Sequence, residues 1–534
     1  MRKIFLFSAL IVSAIGYAQS SVKWYDLVEP VNSIAQGTTA YENVQTNGAG
    51  DIFLYGNIGS VGMDPHAVVM GDTVATVAFK ENMSQTNTAP FFVKVNSEGN
   101  VQWTVVCNDG RFTSYAGLAL EDGGMLVAAT AYQSQASVLS FASHYTPAQT
   151  AKYEQSKEQY GVLLKIAADG KPTILSKFEQ AEAGKTDGIA FRDIVTDGTD
   201  YFVLANVKSA VKIAGETDTI APTAAGACLA VLKFNAAGVY QRALMTDGVA
   251  MTSTTAKLTY ANNTLYITSP LEGTNGSSLS LGSASAVVPN NLKNFAVLEA
   301  SLGLAGQRVM IVEGAKVKVS GKDKNAITTY GVQVKGSNLY VSGFFQGGIV
   351  YGSDTLKNET ANNKAFVSRI NLTSGTCDKA ILMGEGAALS SFNVDGLLQH
   401  GDSLYAYYYD WAATGDRVFL QALDDNLVLG SRLGLINTTT MGTTRGAAFA
   451  GNDLVYTYYA PKGISKLSAD VTISVNPKGF RGMVVAQTVF SSLSPIQEVR
   501  ADDAANGAKK AIQNGNVYIL DKGSVYTVNG QKVQ

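Results

Sequence analysis

The chain has 534 residues, of which 46% are hydrophobic and only 16% charged, with 53 glycines. That is ample apolar material for a large core, and low charge with abundant glycine favours strands and turns over helical surfaces. A net charge of −2 provides no general basic field, so neither nucleic acid nor anionic lipid is an expected partner.

In chain order, Arg2 and Lys3 precede an apolar run from Ile4 to Ile15, followed by Gly16 and Ala18 around Tyr17. This pattern reads as a signal peptide over residues 1–18. The run is short for a membrane span, and no later stretch approaches the roughly 20 apolar residues that a spanning helix requires. The expectation is an exported chain that begins near Gln19, at the cell surface, secreted or periplasmic. No Cys stands near the cleavage point, so a lipid anchor there is not expected.

Val22 to Val28 (VKWYDLV) has a core-strand pattern and copies the VQWTVV run at Val101, with Trp24 and Trp103 in the same place. From there the chain repeats. A strand-like run after a polar Gly/Asn/Asp turn recurs at Ile52, Met125, Tyr201, Leu265, Leu339, Leu404 and Leu454, at intervals of roughly 50 to 76 residues. A second run rich in Val, Leu and Phe follows each, as in FFVKVNSEG from Phe91, CLAVLKFNAAG from Cys228 and AFVSRINLTSG from Ala365, with RGMVVAQTV from Arg481 in the seventh unit. A further strand follows the Gly turn, as in VYQRALM from Val239, and another precedes each first run, as in YGVQVKGSN from Tyr330.

Four short strands per unit, joined by turns, make an antiparallel sheet. Seven such units predict an all-β chain whose residues 19–490 form a single β-propeller of four-stranded blades. The seventh unit lacks a clear last strand, so Val22 to Val28 is expected to supply it, closing the ring and leaving no open edge. Residues 491–510 (SSLSPIQEVRADDAANGAKK) are polar and read as a linker. Residues 511–534 read as a small hairpin, with strands Val517 to Leu520 and Val525 to Val528.

Residues that could carry chemistry are sparse. Cys107, Cys228 and Cys377 read as small buried residues, and His66, His144 and His400 are scattered, so neither a zinc site nor a His-assisted nucleophile is expected. The histidines read as solvated loop residues. No G-x-x-x-x-G-K-[ST] phosphate loop is present, and no cofactor or metal is expected. Catalytic residues are not identifiable by pattern. Carboxylates for glycoside chemistry could come from Asp193, Asp197, Asp200, Asp424 and Asp425, most of which coincide with turns that Asp favours for backbone reasons. Aromatic residues crowd two neighbouring units: Tyr405, Tyr407, Tyr408, Tyr409 and Trp411, then Tyr456, Tyr458 and Tyr459. Alternation places rings on both faces of a strand. Tyr407, Tyr409, Trp411, Tyr456 and Tyr458 are therefore candidates for stacking on a ligand, with packing between blades as the competing role.

The repeat resembles the SBBP-type bacterial β-propeller repeat, most clearly over Leu339 to Gly375 (LYVSGFFQGGIVYGSDTLKNETANNKAFVSRINLTSG), with partial copies across residues 41 to 380. That resemblance implies a fold, not an activity. The end, NGNVYILDKGSVYTVNGQKV from Asn514 to Val533, is similar to the C-terminal sorting domains of Bacteroidetes exporters of the type IX kind. The triplets starting at Asp72, Asp218, Asp354 and Asp402 resemble the O-glycosylation site of exported Bacteroidetes proteins, which would place sugar on Thr73, Thr219, Thr355 or Ser403; turn chemistry explains them equally. The expected function is non-catalytic binding or scaffolding with a glycan, peptide or surface-protein partner, as a monomer or within a surface complex. The alternative is a glycan-active hydrolase or lyase with carboxylates at the propeller mouth.

Overall fold

The computed structural model describes residues 21–28, 39–60, 66–69, 72–76, 87–109, 112–131, 137–143, 150–155, 159–181, 188–222, 226–251, 253–383, 392–410, 416–438, 443–461, 463–467, 471–475, 481–490, 508–513, 516–521 and 524–527. The signal-peptide segment, His144 and Trp411 lie outside the described residues. Every regular element among them is a strand, so no helix is long and apolar enough to cross a membrane.

Seven antiparallel sheets form the body. Blade 1 runs outward from the axis as Thr39–Thr46, Ile52–Ser60, Asn87–Val95 and Val101–Asp109. Blade 2 follows with Phe112–Ala119, Met125–Ala131, Gln159–Ile166 and Pro172–Gln180; blade 3 with Ile189–Thr196, Asp200–Val207, Cys228–Asn235 and Tyr240–Asp247. Blade 4 uses Lys257–Ala261, Thr264–Glu272, Lys293–Ser301 and Gly306–Val312; blade 5 uses Ala326–Lys335, Asn338–Tyr351, Lys364–Asn371 and Thr376–Leu382. Blade 6 uses Phe392–His400, Ser403–Asp410, Asp416–Leu423 and Leu429–Thr438. Blade 7 takes Thr443–Ala450, Asp453–Pro461 and Arg481–Val489 from the end of the propeller sequence and its outer strand, Val22–Val28, from the beginning.

The repeat seen in the sequence is a repeat of register. The opening residue of each second strand faces the same place on the third strand: Ile52 opposite Val95, Met125 opposite Ile166, Tyr201 opposite Phe234 and Leu339 opposite Ile370. One residue earlier on the third strand stands Lys94, Lys165 or Lys233. Each pairs with an Asp at the first turn of its own blade: Lys94 with Asp51 at 2.9 Å, Lys165 with Asp122 at 2.7 Å and Lys233 with Asp200 at 2.8 Å. Later blades place Glu299 and Arg369 there, paired across to Arg308 and Asp378 on the outer strand. The pair tying third strand to turn thus gives way to a pair tying third strand to fourth.

Ring closure follows the expected route. Val22–Val28 lies antiparallel on Arg481–Val489, from Val22 opposite Thr488 to Val28 opposite Met483. The two copied tryptophans do the same work in successive blades. Trp24 Nε1 donates to the Ser97 carbonyl of blade 1 at 3.3 Å, and Trp103 Nε1 to the Ala168 carbonyl of blade 2 at 3.1 Å. Gly99, at φ +84°, leaves room for the Trp24 ring, since a Cβ there would stand 2.7 Å from it.

Segments that read as variable insertions are straps. In blades 2, 3, 4 and 7 the connection between second and third strands forms a hairpin that adds to the outer edge of the preceding blade, and in blade 5 it pairs with Gly314–Ala315, just past the outer strand of blade 4. Ser137–Ser143 pairs with Val101–Asp109, Val211–Ile213 with Pro172–Gln180, and Gly463–Lys466 with Leu429–Thr438. The outer strands of blades 1, 2, 3 and 6, exposed edges in a bare propeller, are thereby covered.

The tail differs from the expected hairpin. It has three strands, Ala508–Gln513, Asn516–Asp521 and Ser524–Thr527, in a sheet of its own. The first of these reaches into the stretch read as linker, where Ala-Lys-Lys-Ala carries little strand signal but pairs fully with its neighbour, Ala508 opposite Asp521 through Gln513 opposite Asn516.

Candidate functional site: the axial channel and its mouth

The innermost strands of all seven blades converge on a channel of about 420 Å³. Their outer-facing partners leave one edge of each toward it, so backbone amides and carbonyls not used within the sheets line it alongside side chains. Near the start of six of the seven innermost strands the register slips by a bulge, between Tyr41 and Asn43, Phe112 and Ser114, Phe191 and Asp193, Thr329 and Gly331, Val394 and Gly396, and Thr444 and Ala447. Bulges bend a strand and re-aim the extra residue. Here they recur at one level and mark one mouth of the channel.

Below that level the strands are stitched to one another. Gln45 of blade 1 donates to the Gly117 carbonyl at 2.6 Å and accepts from Ala119 N at 2.7 Å, while Thr46 Oγ1 donates to the Phe449 carbonyl at 2.7 Å. Gly446, in the blade 7 bulge, allows close approach of blade 1, because a Cβ there would lie 2.5 Å from Asn43 Oδ1. Tyr330, in the blade 5 bulge, rests on Phe344 with ring centroids 5.5 Å apart.

Asp193 is the carboxylate that the described lining residues bring to the channel. Its Oδ1 accepts from Ile194 N at 3.1 Å and its Oδ2 from Leu258 N of blade 4 at 3.0 Å. Burial within the ring raises its pKa above the usual aspartate value, and the Lys257 charge and the two amides pull in the opposite direction. One residue earlier, in the bulge itself, Arg192 is half-buried, and its Nε is buried with no hydrogen-bond partner. Burial alone lowers its pKa.

The other carboxylates of the sequence reading are turn residues at the far end of the strands. Asp197 Oδ1 accepts from the Thr199 and Asp200 amides at 2.8 and 2.7 Å, and Asp424 Oδ1 from the Asn426 and Val428 amides at 2.9 and 2.6 Å. Asp200 is paired with Lys233, and Asp425 with Lys335. None of these four lines the channel.

The tyrosine cluster is interior. Tyr407, Tyr456 and Tyr458 are 0% exposed and Tyr409 5%, which corrects their candidacy as a stacking surface in favour of the packing role. Blades 6 and 7 close on one another through these rings: Tyr407 Oη donates to the Thr457 carbonyl at 2.8 Å, and the Tyr407 and Tyr456 ring centroids are 6.3 Å apart. Burial pushes the Tyr456 hydroxyl far above its ordinary value, and likewise that of Tyr458. A ligand could reach them only by prising the blades apart.

His400 corrects another expectation. It ends the innermost strand of blade 6, opposite Ser403, and stacks on Phe449 at 4.5 Å with Phe490 edge-on at 5.9 Å. The short turn leaves its ring half-buried over the next blade. Cys228 and Cys377 are free and buried, and burial pushes the Cys377 thiol up to about 12. Thr219 is exposed and Thr355 half-buried in strap hairpins, whereas Ser403 belongs to the first turn of blade 6; the side chains of Thr73 and His66 lie outside the described residues.

Arg192, Asn43 and Gln45 carried no recognisable pattern. Their place at the channel follows from bulge and register, which no local sequence signal announces.

No family model matches the chain, and no curated protein matches it. Among solved structures, the β-propeller domain of a trilobed protease from Pyrococcus furiosus is similar at 7% identity, over 86% of this chain and 98% of that one, with a TM-score of 0.36. A puromycin hydrolase is similar at 9% identity and a TM-score of 0.41, over 95% of this chain but only 61% of its own length. An exo-1,5-alpha-L-arabinanase from a bovine ruminal metagenomic library shows 11% identity over 60% of this chain and 96% of that one, with a TM-score of 0.26. At such values the activities of these proteins are no guide to this one, and the seven-bladed propeller rests on the strand order itself.

Proposed function

We propose that this chain is an exported propeller that binds a ligand at the bulged mouth of its axial channel without transforming it. The supporting observation is the channel's inventory. It offers strand-edge amides and carbonyls, with the half-buried Arg192 one residue beyond the lining, in the bulge, whereas glycoside hydrolysis by paired carboxylates needs two such groups facing one bond. Among the described lining residues Asp193 is the carboxylate, with each oxygen held by a backbone amide; Glu42 and Asp395 share the bulge level by register, one in blade 1 and one in blade 6.

The rest of the reading comes from sequence. Residues 1–18 act as the export signal, residues 19–490 form the binding body of SBBP-type repeats, and the tail after the linker serves as a sorting address to the cell surface. Thr219 and Thr355, on strap hairpins, are the modification sites this reading favours. The partner is a glycan or a surface protein.

The test is to present the mature chain to a glycan array and, for each ligand retained, to assay release of new reducing ends. Retention without cleavage supports the reading. Cleavage contradicts it, and so does the absence of any ligand both on the array and in a surface-protein pull-down with the mature chain.

A further inference from the structure

Six of seven innermost strands carry a bulge at one level, and the residues placed there form a ring at the channel mouth. In blades 3, 5 and 7 the ring positions are Arg192, Tyr330 and Arg445, the last exposed. Glu42, Thr113 and Asp395 occupy the same register position in blades 1, 2 and 6. Arg192 stands apart chemically. It is half-buried, its Nε is shielded from water, and no hydrogen bond or ion pair to it occurs among the described residues.

A guanidinium Nε that is shielded from water without a partner is costly, and the rest of this half-buried fork stays within reach of a ligand. The neighbouring Asp193, the described lining carboxylate, does not serve it. Asp193 is turned toward blade 4, where it meets Leu258 N and the charge of Lys257. The guanidinium fork matches a planar carboxylate through two parallel hydrogen bonds. The channel below, about 420 Å³, falls within the usual size of small-ligand sites. Its strand edges are hydrogen-bonding surface suited to hydroxyl groups.

We propose that the bulged mouth of the channel binds a sugar acid, with the Arg192 guanidinium holding its carboxylate and the innermost strand edges meeting its hydroxyls. This rests on the binding reading above and names its ligand class. An unpaired charge held for a ligand also has a signature that a structural arginine lacks: removing it does not weaken the fold.

The experiment is titration calorimetry of the full mature chain with uronic-acid disaccharides (glucuronate, galacturonate and mannuronate) and with neutral disaccharides of the same linkages, for the natural protein, Arg192→Gln and Arg192→Lys. The expected result is binding of an acidic disaccharide that weakens at least about tenfold in Arg192→Gln and by less in Arg192→Lys, with a melting temperature in Arg192→Gln equal to or above that of the natural protein. Equal acidic-sugar affinity in the natural protein and Arg192→Gln overturns the proposal, as does a lowered melting temperature in both variants. Binding of neutral sugars alone overturns it while leaving the binding reading standing; no binding of either kind overturns it too, and leaves the binding reading to the array and to surface-protein partners.

Discussion

The indole of Trp24 donates to the side-chain oxygen of Gln487, 463 residues away in sequence. Gln487 in turn donates to Asp453, which also holds Lys23, so one polar knot fastens the N-terminal strand to two strands of blade 7. The same indole reaches forward to blade 1. Its counterpart Trp103 does the equivalent one blade later but is 1% exposed, whereas Trp24 is half-buried. Trp103→Ala is expected to cost about 3–5 kcal/mol and Trp24→Ala about 2 kcal/mol, in proportion to burial. Urea unfolding of both variants checks the order; an equal or reversed pair of losses would count against the packing described.

Gly238 tests the junction of blades 2 and 3. It has φ +76°, and a Cβ there would stand 2.5 Å from the Leu175 side chain. Gly238→Ala therefore meets both backbone strain and a clash, and a loss of about 1–3 kcal/mol is expected. Gly198, at φ +90° with open space around it, is the control: alanine there adds strain alone and should cost less.

If the tyrosines of blades 6 and 7 are mortar between blades, their substitution changes stability and spares ligand binding. Tyr407→Phe removes one buried hydrogen bond and should cost about 1 kcal/mol. Tyr456→Ala empties a fully buried site and should cost about 3–5 kcal/mol. Binding measured on folded Tyr407→Phe should match the natural protein; a specific loss of affinity would return that ring to the ligand site.

Asp193 gives the fold a pH dependence of definite sign. Its folded-state pKa is raised, by burial first, above the ordinary 3.8, so the folded state holds the proton more tightly than the unfolded chain does. The contribution to stability is greatest below 3.8 and falls as pH rises through the raised value. Asp193→Asn removes that slope. Urea midpoints of the natural and variant proteins across mildly acid to neutral pH should converge in slope everywhere except that window, and identical profiles would show that Asp193 does not titrate in the fold.

How far the sequence carried this picture depends on what local pattern encodes. Repeated register was legible because Ile52, Met125, Tyr201 and their kin follow a turn and open a strand in the same way each time. Closure was legible because VKW at Val22 copies VQW at Val101. The facing of the tyrosines was not: both sides of a blade are buried against neighbours, with Tyr407 packed toward blade 7 and Tyr408 in a separate core with Phe419, so alternation separates two interiors instead of core from solvent. Bulges left no trace because one extra residue, Arg192 or Tyr330, carries no signature of its own. Straps as short as Val211–Ile213 fall below the length at which periodicity speaks.

A propeller closed between its two chain ends, with the channel mouth held in shape by that closure, is the claim on which the rest depends. Native-state hydrogen exchange of residues 22–28, read by mass spectrometry on the mature chain, tests it most directly. Amides of Val22–Val28 that pair with Arg481–Val489 should exchange slowly and together with them, at rates set by opening of the whole ring. Exchange of residues 22–28 at the rate of an unstructured segment, while 481–489 stays protected, would contradict it.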